Sequence, residues 1–281
     1  MTYKEALTYG TEQLKQAGIE EASLDAWLLL SHCTGMSRSG YFLHDEDAMT
    51  EEQEQTYRSD IEKRSRRIPL QHITGVQEFM GLEFSVNENV LIPRQDTECL
   101  VEEAIERLHS NMRILDMCTG SGCIIISLAD AAKQRGLTNV ACIGVDVSEA
   151  ALLVSKENAK KLHADVTFMQ SDLFTNVEGK FDMLISNPPY IRTEVIEGLQ
   201  EEVKLHDPYI ALDGKEDGLF FYRRIVEEGR QFLNLNGRMM FEIGHDQGED
   251  VSALMRAAGF TEIVVKKDLA GLDRVVIGGY N

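Results

Sequence analysis

Four consecutive residues, Asn187, Pro188, Pro189 and Tyr190, carry the groups needed to hold a planar nitrogen-containing ligand. They follow the apolar stretch 181–186, which predicts a buried strand. Neither proline has an N–H to donate to a neighbouring strand, so the strand should end at Asn187 and fix its side chain. A carboxamide can donate and accept hydrogen bonds, and the tyrosine ring offers a flat face beside it. The alternative is a rigid turn capped by an asparagine, without a binding role.

Residues 114–126 form a second pattern, which predicts a strand, a turn of small residues and a helix. Gly120 and Gly122 would let the backbone approach a ligand closely at the start of the helix, where N–H groups are free. Asp116 precedes the turn and could accept from an ammonium group or a bridging water. A glycine-rich turn is a weak signal by itself, because a tight strand-to-helix connection has the same composition.

Acidic residues follow two more predicted strands. Asp146 ends the strand at 140–146, where a carboxylate can bind both hydroxyls of a ribose. Asp172 and Leu173 come just after the strand at 166–170 and suit an adenine, with an acceptor for its amine and apolar contact for its ring. Together with Asp116, these strand ends predict a nucleotide-like pocket at the carboxyl edge of a sheet.

The turn differs from the common phosphate-binding motifs. It has neither the Gly-Lys-Ser/Thr of a Walker loop nor the GxGxxG order of a dinucleotide-binding turn. Its acidic start disfavours a pyrophosphate and favours a ligand with a cationic centre and an amino acid tail, which is S-adenosylmethionine. The residues expected to bind this cofactor are Asp116, Cys118, Thr119, Gly120, Ser121, Gly122, Asp146, Asp172, Leu173 and Asn187.

Strand and helix patterns alternate from residue 94 to the end. Strands are predicted at 113–117, 140–146, 166–170, 181–186, 238–243, 262–267 and 274–278. Helices are predicted between them, for example at 97–108, 149–162 and 219–233. This alternation predicts an α/β domain over 94–281, with a mostly parallel seven-stranded sheet and helices on both faces.

The residues before 94 have a different pattern. Residues 1–72 predict a small helical bundle, with Trp27 in its core and Thr50 as a helix N-cap. Residues 73–93 predict a β-hairpin linker, with an Asn-rich turn at 87–89 and strands on either side.

Composition limits the class of protein and its partners. The chain has 281 residues, 43% of them hydrophobic, which fits a globular protein of two domains. It has no apolar run of the roughly 20 residues that a membrane helix needs and no signal-peptide pattern at its start. Five scattered cysteines predict reduced thiols, a cytoplasmic location and no metal site.

Charge bears on nucleic acids. A net charge of −19 disfavours non-specific binding to phosphates. We interpret the one basic cluster, at 63–67, as a solvated helix end rather than a docking patch. The oligomeric state has no sequence signal, and we expect a monomer.

With these motifs in order, the chain resembles class I S-adenosylmethionine-dependent methyltransferases, in which the Asn-Pro-Pro-Tyr motif is typical of enzymes that methylate planar nitrogens. Segments 68–75, 91–98 and 217–223 make it similar over nearly its whole length to one family, the release factor glutamine methyltransferases. Within the pocket, Cys118 stands where the family usually has glycine, and Leu173 where many members have an aromatic residue.

The resemblance implies a Rossmann-like methyltransferase domain joined by a hairpin to an N-terminal helical domain that recognises the substrate. It implies methylation of the glutamine in the Gly-Gly-Gln motif of bacterial peptide chain release factors, with S-adenosyl-L-homocysteine as product. Asn187, Pro188, Pro189 and Tyr190 would bind the glutamine. We expect the Asn187 oxygen and the Pro188 carbonyl to accept its amide protons, and Tyr190 to pack on the amide plane.

Two other functions remain open. An adenine-N6 methyltransferase acting on nucleic acid would share the pocket and the motif, although the acidic charge disfavours it. A regulatory protein that binds the cofactor without catalysis would not need Asn187 or Tyr190. Two smaller questions remain. Arg94 could pair with Glu98 or lie beside the cofactor, and Glu242 and His245 could line the substrate entrance.

Overall fold

The computed structural model describes residues 1–281, which form two compact units. One unit comprises Met1–Val76 and Gln200–His206, and the other comprises Gln77–Leu199 and Asp207–Asn281. None of the helices has the length and apolar character needed to cross a membrane. The predicted domain limits at 72 and 93 stay a prediction.

The first unit is a bundle of helices, as its apolar spacing predicts. Its helices are α1 (Tyr3–Gln16), α2 (Ala22–Thr34), α3 (Arg38–His44), α4 (Glu51–Ser65), α5 (Leu70–Thr74) and α10 (Glu201–His206). Trp27 lies in the buried core of the bundle beside Leu30 and Tyr57, which confirms its predicted role. Thr50 caps α4 as predicted, since its hydroxyl accepts from the Gln53 N–H while the Gln53 side chain accepts from the Thr50 N–H.

The basic cluster at the end of α4 differs from the prediction. Arg64 is buried, and its guanidinium pairs with Asp25 at 2.7 Å and with Glu202 of α10 at 3.1 Å. Arg67 also reaches Glu202, at 3.2 Å. A solvated helix end was therefore the wrong interpretation for these two residues, because carboxylates distant in the sequence neutralise them within the same unit.

The second unit is built on a seven-stranded sheet in the order β5-β4-β3-β6-β7-β9-β8. Its strands are β3 (Arg113–Met117), β4 (Ala141–Asp146), β5 (Val166–Gln170), β6 (Phe181–Ser186), β7 (Leu233–Glu242), β8 (Thr261–Lys267) and β9 (Asp273–Tyr280). The first five strands in this order pair in parallel, and β9 is antiparallel to both β7 and β8. The predicted α/β fold with a mostly parallel seven-stranded sheet is confirmed.

Helices cover the sheet and supply the residues that face its carboxyl edge. They are α6 (Gln95–Ile105), α7 (Cys123–Gln134), α8 (Glu149–Lys161), α9 (Thr193–Ile196), α11 (Tyr209–Leu212), α12 (Phe220–Gly229) and α13 (Gly248–Ala257), with a 3₁₀ turn at Arg230–Phe232. The apolar side chains of α7 are buried together with Ile114 and Met183 of the sheet. This packing holds α7 against the sheet.

A β-hairpin precedes the sheet, but its turn is not where the sequence predicts it. The strands are β1 (Val76–Phe79) and β2 (Leu82–Ser85), so the two-residue loop is Met80 and Gly81 and not the Asn-rich stretch. Met80 has φ 51° and Gly81 has φ 72°, the left-handed values that both central residues of a type I′ turn require. The 87–89 segment is therefore not the hairpin turn, although a turn does form there: the Val90 N–H donates to the Asn87 carbonyl at 3.3 Å, and the Asn89 N–H donates to the Asn87 side chain at 3.0 Å. Val90 and Ile92 are buried, yet they lie outside any strand.

The order of the strands predicts where a ligand can bind. The chain runs outward from β3 through β4 to β5 and then returns to place β6 on the other side of β3. The loops after β3 and β6 therefore leave the sheet in opposite directions and open a crevice at its carboxyl edge. Cys118 to Gly122 and Asn187 to Tyr190 occupy these two loops.

Candidate functional site

The turn between β3 and α7 has a backbone that favours glycine at several positions. Gly120 has φ 53°, and a β-carbon built there would meet nothing within 4 Å, so the turn leaves open space beside its backbone. Gly122 has φ 81°, and its β-carbon would come within 2.9 Å of Ile126 Cδ1. Cys118 has φ 62°, in the left-handed region where residues with a β-carbon are strained.

Asp116, near the end of β3, holds this turn through a hydrogen bond to Thr119. Its side chain is fully buried, and the Thr119 hydroxyl donates to its Oδ2 at 2.6 Å. Burial raises the pKa of Asp116 to about 7. Asp116 does not line the cavity described below. Its side chain therefore does not have the expected position of a direct acceptor for a ligand's ammonium group.

Asp146, at the end of β4, connects the next two turns. Its Oδ2 accepts from the Gly120 N–H at 2.9 Å, and its Oδ1 accepts from the Ser148 N–H at 2.9 Å. Burial raises the pKa of Asp146, while these backbone donors oppose the rise. Each carboxylate oxygen has a second lone pair, so Asp146 can still accept hydrogen bonds from a ligand.

Asp172 and Leu173 follow β5, as predicted. The exposed carboxylate of Asp172 is 3.1 Å from the Arg224 guanidinium, and this contact to α12 was not foreseen. Leu173 is buried with φ 47°, and its carbonyl accepts from the Ser171 hydroxyl at 2.6 Å.

Asn187 directly follows β6, and the two prolines after it prevent the strand from continuing. Its Nδ2 donates to the Thr97 hydroxyl of α6 at 3.3 Å, which leaves Oδ1 without a donor from the protein. Pro189 lines the same cavity, whereas Pro188 and Tyr190 do not.

Tyr190 is held from the side away from the cavity. Its hydroxyl donates to Glu242 Oε1 at 3.3 Å, and its carbonyl accepts from the Gln247 side chain at 3.1 Å. A β-carbon on Gly214 would lie 2.7 Å from the Tyr190 backbone, and one on Gly218 would lie 2.5 Å from its carbonyl oxygen. The end of the Asn-Pro-Pro-Tyr motif is thus closely packed between two loops.

Glu242, the last residue of β7, is buried beneath the motif and does not line the cavity. Burial raises its pKa to about 7, against the opposing effects of Thr97, Arg274 and Tyr190. Because its side chain is buried and does not line the cavity, the expectation that Glu242 lines the substrate entrance is wrong.

One cavity of about 350 Å³ joins these loops, within the range of small-molecule sites. The predicted residues that line it are Cys118, Thr119, Gly120, Ser121, Asp146, Asp172, Leu173, Asn187 and Pro189. The predicted residues that do not line it are Asp116, Gly122, Pro188 and Tyr190. Motifs up to about 70 residues apart in the sequence therefore meet at one site.

Several residues of the cavity wall were missed by the sequence analysis. They include Thr97, Pro208, Ile210, Lys215, Phe220, Phe221 and Arg224. The adjacent aromatic residues at 220 and 221 were the one available signal, since they begin a helix beside a glycine-containing loop. Arg94 also lines the cavity, and it pairs with Asp207 at 2.6 Å and not with Glu98, whose Oε1 accepts from the Met80 N–H.

The donor groups of the cavity fit a nucleoside-containing ligand rather than a metal ion. No group of three or more His, Cys, Asp or Glu side chains is arranged to hold a metal. The open space beside Gly120 allows close contact with the backbone, and the Asp146 carboxylate has lone pairs for sugar hydroxyls. Apolar walls from Leu173 and Ile124 can contact a ring and a methylene chain.

Two family models match parts of the chain. Residues 5–75 match the model of the PrmC N-terminal domain, and residues 95–203 match the methyltransferase small domain. A release factor glutamine methyltransferase of Geobacter sulfurreducens is 40% identical over 278 residues, which cover 99% of this chain and 96% of that protein. Another, from Caulobacter vibrioides, is 39% identical over 100% of this chain and 97% of that protein.

A solved structure extends the comparison to the fold. A methyltransferase from Pyrococcus furiosus aligns with 72% of this chain and 90% of that chain, at a TM-score of 0.52 and 16% identity. At this identity the likeness concerns the fold alone.

Proposed function

The chain belongs to the family of release factor glutamine methyltransferases, and we propose that it methylates the side-chain amide nitrogen (N5) of the glutamine in the Gly-Gly-Gln motif of peptide chain release factors. The observation that carries the proposal is the position of Asn187. Its Oδ1 has no donor from the protein, and it lines the same cavity as Asp146 and Gly120. An acceptor for an amide and a cradle for a nucleoside therefore share one site.

The proposed methyl donor is S-adenosylmethionine, which supplies an electrophilic methyl group on a sulfonium and leaves as S-adenosyl-L-homocysteine. Asp146 would bind the ribose hydroxyls, and the backbone of residues 118–121 would contact the amino acid end. Leu173 would contact the adenine, with Asp172 at its amine. Asp116 and Gly122 act indirectly, because they hold the turn. No metal takes part in this proposal.

The chain's own residues have a positioning task. An amide nitrogen is a poor nucleophile because its lone pair is delocalised, so alignment should account for most of the rate increase. The Asn187 Oδ1 and the Pro188 carbonyl would accept the two amide protons, orient the nitrogen and stabilise the positive charge that develops on it. Tyr190, which does not line the cavity, would keep Asn187 in place through its own hydrogen bonds to Glu242 and Gln247.

The main competing function is methylation of adenine N6 in a nucleic acid. The net charge of −19 opposes it, since binding of a phosphate backbone needs a basic surface. We also propose that the N-terminal helical unit recognises the release factor, that the protein acts as a cytoplasmic monomer, and that it binds neither membranes nor nucleic acid directly.

A methylation assay separates these functions. The purified protein is incubated with S-adenosylmethionine and, in parallel, with a full-length release factor or with duplex and single-stranded DNA and RNA. Mass spectrometry should find a gain of one methyl group on the Gly-Gly-Gln glutamine and none on the nucleic acids. The proposal would be contradicted if adenine were methylated, or if the protein bound the cofactor and methylated no substrate.

Asp146→Asn should weaken cofactor binding about tenfold, because the amide keeps only one acceptor oxygen and loses the charge that strengthens hydrogen bonds from the ribose hydroxyls. Isothermal titration calorimetry with S-adenosyl-L-homocysteine measures the change. Asp130→Asn is the matched control, since Asp130 is on α7, makes one exposed hydrogen bond to Gln134 and does not line this cavity. Equal affinities of the wild type and Asp146→Asn for S-adenosyl-L-homocysteine would show that Asp146 does not bind the cofactor.

A further inference from the structure

The amide group of Asn187 can be placed in two orientations, and only one suits the proposed reaction. With Oδ1 toward the cavity, Asn187 accepts from a substrate amide. With Nδ2 toward the cavity, its N–H groups would face the N–H groups of the substrate. The two orientations have almost the same shape, so a hydrogen-bonding partner has to select between them.

Thr97 is the partner that makes this selection. It is 2% exposed in the first turn of α6, and its Oγ1 accepts from Asn187 Nδ2 at 3.3 Å. A hydroxyl has a single hydrogen, and it can accept or donate toward a given neighbour. If its hydrogen is directed elsewhere, Thr97 can only accept from Asn187 Nδ2. The Asn187 Oδ1 must then face away from Thr97, toward the cavity.

Glu242 provides the place for that hydrogen. Its carboxyl group is buried beneath the motif, and its Oε1 accepts from the Tyr190 hydroxyl at 3.3 Å. Its Oε2 has no hydrogen-bond partner of standard geometry, although the Thr97 hydroxyl is close enough to the carboxyl to oppose the rise of its pKa. When the carboxyl group is ionised, a buried acceptor without a donor is costly, so the hydrogen of Thr97 is favoured to turn toward it.

The same carboxyl group is close to groups that hold both ends of the motif. The Tyr190 hydroxyl donates to it directly, and Thr97, which accepts from Asn187, has its hydroxyl near the carboxyl group. Other neighbours do not compete for the Thr97 hydrogen. The Tyr222 hydroxyl donates to the Glu242 backbone carbonyl at 2.8 Å, and Arg274 forms its ion pairs with Asp268 and Asp96.

We propose that Thr97 and Glu242 are positioning residues that set the orientation of the Asn187 amide for methyl transfer. This inference rests on the proposed function. Neither residue needs to exchange a proton with the substrate. Their effect should appear in the rate of methyl transfer and not in the affinity for the cofactor.

Thr97 allows a test with two variants that separate the hydroxyl from the shape of the side chain. Thr97→Val removes the hydroxyl and keeps the shape, whereas Thr97→Ser keeps the hydroxyl. Using a full-length release factor, we expect Thr97→Val to lower kcat about tenfold, with KM and the affinity for S-adenosyl-L-homocysteine changed less than about threefold. Thr97→Ser should restore kcat to within about threefold of the wild type.

Two further variants separate positioning from folding. Glu242→Gln should also lower kcat, because its amide can donate to Thr97 and so release the threonine hydrogen toward Asn187. Ser252→Ala is the control for loss of a buried hydroxyl, since Ser252 bonds only to the Gly248 carbonyl within α13, and its kcat should match the wild type. Thermal unfolding with cofactor bound verifies that each variant is folded.

The outcomes distinguish this inference from the proposed function. Wild-type kcat in Thr97→Val, or an equal loss in folded Thr97→Ser and Thr97→Val, would overturn the positioning role while leaving release factor methylation intact. If the wild type itself fails to methylate the release factor, the proposed function falls first. A raised KM with unchanged kcat would mean that Thr97 contributes to binding alone, and would also overturn the inference.

Discussion

Asn187→Ala should lower kcat about 100-fold while the protein still binds S-adenosyl-L-homocysteine with an affinity within about threefold of the wild type. Alanine removes the acceptor that has no donor from the protein, and it also leaves the buried Thr97 hydroxyl without its Asn187 partner. The substrate nitrogen then loses its orientation and one source of charge stabilisation. Single-turnover kinetics with a full-length release factor measure methyl transfer separately from product release.

Asn139→Ala is a suitable control for this experiment. Asn139 is exposed, and its side chain bonds to Asn111 at 3.1 Å, outside the cavity. It should keep wild-type turnover. If Asn187→Ala turned over normally with cofactor bound, the amide acceptor would have no part in catalysis, and the site would need another group to orient the glutamine.

The parts of this site that the sequence predicted are those with local signals. β3, β5 and β6 have the limits expected from their apolar runs. β5 and β6 end at polar residues, and β3 ends just before the small-residue turn that contains Gly120. Once the strands are parallel, their carboxyl ends must share one edge, so the meeting of Gly120, Asp146 and Asn187 followed from the fold class.

The parts that were missed depend on contacts between distant segments. Thr97 and Asn187 are 90 residues apart, and no pattern in α6 distinguishes a core threonine from one that holds an asparagine. Arg64 looked like part of a solvated cluster because its partners, Asp25 and Glu202, are 39 and 138 residues away. The hairpin turn was misplaced because Met80, a residue that rarely adopts positive φ, occupies a left-handed position.

Asp116 shows how a motif can be located correctly while its role is misread. The sequence placed it at the end of a strand beside the glycine-rich turn, which is confirmed. Its side chain, however, bonds back to Thr119, so its contribution to ligand binding passes through the turn. The distinction between facing a cavity and supporting its wall requires side-chain coordinates.

The second large effect is expected in the pH dependence of stability and concerns Glu242. Burial raises the pKa of this carboxyl to about 7, and the titratable or charged groups around it are Tyr190, Asp96, Arg274 and Tyr222. In the unfolded chain a glutamate has a pKa of about 4.3. Between these two values the folded protein keeps a proton that the unfolded chain releases.

The sign of the effect follows from this difference in bound protons. Because the folded state binds more protons, the free energy of unfolding falls as pH rises from about 4 to about 7, and the contribution becomes constant above that range. Between pH 5 and pH 8 the loss from this one carboxyl should be roughly 2 to 3 kcal/mol. Glu242→Gln remains neutral at both values and should lack this part of the loss.

Urea unfolding of the wild type and Glu242→Gln at pH 5 and pH 8 measures the difference. The comparison at pH 5 is an internal control for packing, because the wild-type side chain is then protonated and nearly isosteric with glutamine. Asp116→Asn should reduce the pH dependence in the same direction, since burial also raises the pKa of Asp116 to about 7. Equal losses of stability in the wild type and Glu242→Gln would show that Glu242 is already ionised at pH 5. The negative charge would then have to be stabilised by Arg274 and the hydroxyls of Thr97 and Tyr190 strongly enough to offset its burial.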